Sequence, residues 1–210
     1  MKEFLCERVA QLREDESVRG VLLNGSWAEG CATPGSDLDL LVLCNEDRFI
    51  AEWVDGRLVE THYCTETNAH DKLAQTPMEI YRYLGAKIQF DRGGLAELIG
   101  IAEEIYRDYK TPEQERRRLA HWMTSAALKL RVAIETGDTL KANYIAATNA
   151  WKLMEATWAV NNRPMPPSST AFRRQGALEP VPFSGWFEAL FSQDLEATLR
   201  CFTWAAEQLK

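Results

Sequence analysis

The order of apolar and polar positions divides the chain into a first part that mixes helix with short strands and a second that is helical. Phe4, Leu5, Val9 and Leu12 recur at helical spacing among charges and predict an amphipathic helix over 2–16. Val21-Leu22-Leu23 is a short apolar run that ends at Gly25-Ser26, and the next residues predict a short helix over 26–29. After a Gly/Pro loop, Leu40-Leu41-Val42-Leu43 has the composition of a buried strand, opened by Asp37 and Asp39. Residues 48–54 read as another strand, Asp55-Gly56 as a tight hairpin turn and 57–65 as its partner. Helical patterns follow over 68–75 and, starting at Pro77, over 77–84. A last short strand is predicted over 86–90 and a helix over 95–109.

Thr111-Pro112 breaks the pattern, so the expected domains are 1–110 and 111–210. Beyond the break the chain predicts a helix over 115–135 stopped by Gly137, and one capped by Asp138 that runs to about 161. A proline-rich connection over 162–182 and two shorter helices over 183–191 and 194–209 complete it. Trp122, Trp151, Trp158, Trp186 and Trp204 fall on these helices; packing between helices accounts for most of them, and one or two can wall a ligand pocket. The fold class expected is α+β, with strands and helices first and a helical bundle after.

Composition adds the class of protein. With 46% hydrophobic and 26% charged residues the chain can build a core as a soluble globular protein. No apolar run approaches the ~20 residues of a membrane span, and the N-terminus has no signal-peptide core. Five scattered cysteines without a CxxC pair read as reduced thiols, so the expected location is cytoplasmic. The net charge of −7 with no basic stripe argues against nucleic acid as partner and for a small molecule or a protein.

The aspartates add chemistry. Residues two apart on a strand share a face, so Asp37 and Asp39 aim at one point. Like charges that close are costly unless a cation lies between them, and a hard oxygen set suits Mg²⁺ or Mn²⁺. Gly25 lets a ligand approach the backbone, and Ser26 adds a hydroxyl donor at a helix start. A phosphate cradle a dozen residues from paired carboxylates makes a nucleotide–metal site.

Gly25-Ser26 on a short helix, followed by Asp37 and Asp39 on the next strand, resembles the signature of the DNA polymerase beta-like nucleotidyltransferase superfamily. The resemblance implies a small mixed-sheet catalytic domain that moves a nucleoside monophosphate to a hydroxyl. The co-substrate is a nucleoside triphosphate, with ATP expected, and catalysis uses two metal ions and releases pyrophosphate. It further implies a third carboxylate on the strand beside the aspartates. Leu58, Glu60 and His62 share one face of the hairpin strand, and Glu60 is the choice, with Glu52 and Glu66 behind it and His62 a possible substrate contact.

The second half is similar to the helical domain of kanamycin nucleotidyltransferase-like proteins. The likeness is carried by Lys141-Ala142-Asn143-Tyr144, Lys152-Leu153-Met154-Glu155, Asn162-Arg163-Pro164 and the proline-rich loop. This implies a small-molecule acceptor, aminoglycoside-like antibiotics among the candidates, and an enzyme that is a monomer or homodimer. Lys129, Lys152 and Glu155 are candidate contacts to acceptor or phosphate, with Arg131 and Lys141 as further cations. A nucleotide sensor without transfer, and a toxin–antitoxin-type transferase acting on protein or RNA, are the alternatives.

Overall fold

A computed structural model of the protein describes residues 2–210; Met1, the start of the first expected domain, lies outside them. The chain divides into two compact units between Asp108 and Tyr109. In chain order the first holds helix α1 (Lys2–Glu14), strand β1 (Gly20–Leu23), helix α2 (Gly25–Glu29), and strands β2 (Leu38–Leu43), β3 (Arg48–Val54) and β4 (Arg57–Cys64). Helix α3 (Glu66–Gln75), a 3-10 turn (Pro77–Arg82), strand β5 (Lys87–Asp91) and helix α4 (Leu95–Asp108) follow.

The five strands form one mixed sheet in the order β3-β4-β2-β1-β5. The central pair, β2 with β4, is parallel, and the other pairs are antiparallel. Strand β2 is buried on both faces, which is why it reads as a continuous apolar run. Leu38, Leu40 and Val42 pack with Val21, Val59 and Tyr63 beneath the apolar stripe of α1. Leu41 and Leu43 point the other way, into Leu22, Leu73, Ile80, Leu95 and Leu98. Asp39 therefore belongs to the face of Leu41 and Leu43, at the end of the strand where the apolar cover stops.

The β3–β4 hairpin turns at Asp55 and Gly56, both left-handed (φ 51° and 73°), the geometry a two-residue turn requires. This turn sets the register of β4, with Val54 opposite Arg57 and Ala51 opposite Glu60. Residues 77–84, expected as α-helix, form instead the 3-10 turn, and Tyr83 at its end is buried. Six residues starting at a proline give too few i→i+4 bonds to hold an α-helix.

The second unit holds α5 (Glu113–Glu135), α6 (Thr139–Val160), α7 (Ser168–Arg174), a 3-10 turn (Gln175–Ala177), α8 (Trp186–Ala189) and α9 (Leu195–Gln208). Helices α5, α6 and α9 pack against one another around Leu119, Met123, Leu130, Leu153, Trp158 and Phe202. Asp138 and Asp194 cap α6 and α9 by accepting from the N–H groups of Lys141 and Ala197. The stretch 162–182 is not all connection: α7 begins directly after Pro167, because a proline ahead of a helix start removes no needed donor. The helix expected over 183–191 shrinks to one turn behind Gly185, which is left-handed at φ 79°. Among the described residues no helix is long and apolar enough to cross a membrane.

Candidate active site

Asp39 is the second residue of β2, and its backbone carbonyl accepts from the N–H of Asn24 at 2.9 Å. That bond ties the Gly25-Ser26 turn to the aspartate strand. Across the parallel pairing Asp39 is the Cα partner of Glu60. Asp37 lies just before the strand rather than within it, as β2 starts at Leu38. One carboxylate oxygen from each of Asp37, Asp39 and Glu60 lies within 4.8 Å of the other two. Asp37 is exposed and the other two are half-buried.

Among the described residues no Lys or Arg forms an ion pair with Asp37 or Glu60. Carboxylates this close repel one another, and a cation resolves that repulsion. As oxygen donors they fit a hard divalent ion such as Mg²⁺.

The turn fits around them. Gly25 has φ +63°, and a Cβ on it would stand 2.2 Å from Asp39 Oδ2. Only glycine combines that backbone conformation with so close a carboxylate. The Ser26 hydroxyl and the Asn24 side-chain oxygen are buried and meet no protein hydrogen-bond partner. An unpaired buried hydroxyl is costly, and a phosphate oxygen is a partner of the right chemistry. Helix α2 is only five residues long, so the serine rather than a helix dipole is the chief donor there.

The other acids considered for the third position are engaged elsewhere. Glu52 alternates to the opposite sheet face and pairs with Arg8 of α1. Glu66, at the start of α3, pairs with Arg19 at 2.5 Å, and that guanidinium holds its carboxyl below the usual range. His62 sits two residues beyond Glu60 on the same face, its ring 4.5 Å from that of Phe49. Burial, with help from the Arg82 charge, pushes its pKa down to about 4, so it is a neutral imidazole at physiological pH.

The cations expected in the second half divide. Lys152 and Glu155 pair with each other at 2.6 Å, and Glu155 also lies 4.0 Å from Arg118. Lys129 lines a cavity between α5 and α6. The sequence reading missed Arg57, which lines a small cavity together with Asp37 and Trp53 and lies 5.6 Å over the Trp27 ring. Its position directly after the hairpin turn was the available signal. The parallel β2–β4 register brings the start of β4 beside the start of β2.

Residues 4–119 match the family described as the nucleotidyltransferase domain. No curated protein matches the sequence. Among solved structures the chain is similar to a nucleotidyltransferase-like protein from Exiguobacterium sibiricum 255-15. That likeness has 15% identity and a TM-score of 0.45, and covers 95% of this chain and 71% of that one. The family match spans more than half of the sequence and contains the turn, both aspartates and Glu60, and on that ground the chain belongs to the nucleotidyltransferase domain family.

Proposed function

We propose that the protein transfers a nucleoside monophosphate, AMP from ATP, to a hydroxyl of a small-molecule acceptor and releases pyrophosphate. The observation that carries this reading is the convergence of Asp37, Asp39 and Glu60, with carboxylate oxygens within 4.8 Å, beside Gly25. A protein that only sensed a nucleotide would have no use for three clustered acids, so transfer is preferred over sensing.

In this reading Asp37, Asp39 and Glu60 hold Mg²⁺ or Mn²⁺. When bound, the ion supplies neutralisation of triphosphate charge and acidification of the attacking hydroxyl. Ser26 donates its hydroxyl to a phosphate oxygen, and Gly25 keeps the backbone clear of Asp39. Arg57 adds positive charge beside Asp37. Glu60 is placed to accept the proton that leaves the acceptor hydroxyl.

The helical unit is the acceptor-binding part, as its likeness to kanamycin nucleotidyltransferase-like proteins suggests. Charge supports a division of labour: Lys and Arg outnumber Asp and Glu in the second unit, whereas the first carries the whole acidic excess. Because Glu155 is neutralised by Lys152 and Arg118, Lys129 is the candidate best placed to meet a ligand.

The test is incubation of the full chain with α-labelled ATP, Mg²⁺ and either an aminoglycoside panel or a small-metabolite extract. A labelled small product together with pyrophosphate, absent with Asp39→Asn, is the expected result. Binding of ATP without product from any acceptor would favour the sensor.

A further inference from the structure

The helical unit contains a cavity of about 400 Å³ between α5 and α6, within the range of small-molecule sites. Its floor is Ala126 and Ile145, both buried. One wall is Trp122, whose indole is fixed: Nε1 donates to Asn149 Oδ1 at 2.7 Å, and the Asn149 amide donates to the Ile145 carbonyl at 2.8 Å. Lys152 also sits 5.7 Å over the ring. An aromatic side chain held this way presents a flat surface without loss of rotamer freedom on binding. Yet Trp122 remains 44% exposed, and Tyr144 on the facing helix is 68% exposed.

The polar groups around this surface are one-sided. Lys129 and His121 line the cavity, and among the described residues no Asp or Glu does. Among the described residues neither the Lys129 ammonium nor the Ser125 hydroxyl has a hydrogen-bond or ion-pair partner. Two of the oxygen-bearing groups are already engaged: Asn149 Oδ1 accepts from Trp122, and Thr148 donates to the Tyr144 carbonyl at 2.7 Å. Glu155, further along α6, is held by Lys152 and Arg118. The cavity thus offers donors and a positive charge to a ligand, and little to a polycation.

We infer that this cavity binds a small molecule with a flat apolar ring system and an anionic group, the ring against Trp122 and the anion on Lys129 and Ser125. That this ligand is the acceptor rests on the function proposed above; its binding does not. If it is the acceptor, polyamine antibiotics are the wrong substrate class, because a polycation would face Lys129 with no carboxylate to compensate.

The experiment pairs two probes with the same ring and opposite charge. Uniformly ¹⁵N-labelled full chain is titrated with indole-3-acetate, tryptamine and kanamycin while the Trp122 indole N–H resonance, assigned with Trp122→Phe, is followed. Indole-3-acetate should shift that resonance, whereas tryptamine and kanamycin should leave it in place at equal concentration. Lys129→Ala should weaken indole-3-acetate binding about tenfold, as expected for loss of a charged hydrogen bond. Lys129 is exposed, so this variant should fold.

A stronger shift with tryptamine or kanamycin, no shift with the acid, or an acid affinity unchanged in Lys129→Ala would each overturn the inference. Mn²⁺ affinity measured on the same samples separates the two readings. Retained Mn²⁺ binding with the wrong probe preference sinks only the ligand class. The right preference without Mn²⁺ binding sinks only the transferase.

Discussion

The carboxylate of Asp39 fills the space in which a side chain at position 25 would begin: a Cβ on Gly25 would lie 2.2 Å from Asp39 Oδ2. The glycine is therefore required first by the acid and only then by any phosphate that approaches the turn. Gly25→Ala carries a backbone cost of about 1 kcal/mol for the left-handed conformation and must also displace the aspartate. We expect it to weaken divalent-ion binding and to lower transfer by about a hundredfold or more. Calorimetric titration with Mn²⁺ in the absence of nucleotide checks this, since a glycine that served phosphate alone would leave ion affinity intact.

Glu60 is distinguished from its neighbours by what its carboxylate meets. Glu60→Gln keeps the shape and removes the charge, so ATP binding should persist while transfer falls by about two orders of magnitude, the scale of a lost acid–base group. Glu52→Gln and Glu66→Gln should transfer normally and lose no more than about 1 kcal/mol of stability, because each breaks an ion pair that is partly solvated. Normal transfer by Glu60→Gln together with loss in either of the others would reassign the third acid.

Arg57 shares a cavity with Asp37 and leans on Trp27. Arg57→Ala should raise KM for the triphosphate about tenfold, with a smaller change in kcat, as for a binding contact present in ground and transition states alike. An unchanged KM in steady-state assays would leave the arginine a purely structural residue of the hairpin.

Asp47, between β2 and β3, accepts from the Asn68 side chain at 2.7 Å and the Thr65 N–H at 2.9 Å. The Asn68 bond, followed by that from Thr65, holds its carboxyl below the ordinary value of 3.8. A depressed carboxylate pKa stabilises the fold at pH above the unfolded-state value and loses that contribution as pH falls through and below it. Asp47→Ala should therefore lower the midpoint of thermal unfolding at pH 7, and the gap to the native chain should narrow as pH is taken below 4. A gap that stays constant with pH would show that the hydrogen bonds do not depend on the charge.

Much of this was written plainly in the chain. The apolar run Leu40-Leu41-Val42-Leu43 of β2, the Asp55-Gly56 turn and the capping Asp138 each act through local rules, and each element formed where those rules put it. Glu60 could be chosen because strand alternation and a fixed hairpin turn leave little freedom in where its side chain points. The less legible features depend on partners far away in sequence. That Glu52 would pair with Arg8, and Glu66 with Arg19, needed the sheet to bring positions more than forty residues apart together. Arg57 was overlooked because its closeness to Asp37 exists only through the parallel pairing of β2 and β4. Helix α7 was hidden because prolines crowd its start, and a run of prolines reads as a break before it reads as a helix beginning.

The central claim is that Asp37, Asp39 and Glu60 together bind a divalent cation. Room-temperature electron paramagnetic resonance of free Mn²⁺, recorded as the full chain is titrated in, counts bound ions directly and needs neither acceptor nor turnover. The native chain should remove Mn²⁺ from the free signal saturably, and added ATP should tighten that uptake. Asp39→Asn should bind at least about tenfold more weakly while keeping the native circular dichroism spectrum. Equal Mn²⁺ uptake by the native chain, Asp37→Asn and Asp39→Asn, with or without ATP, would contradict the claim.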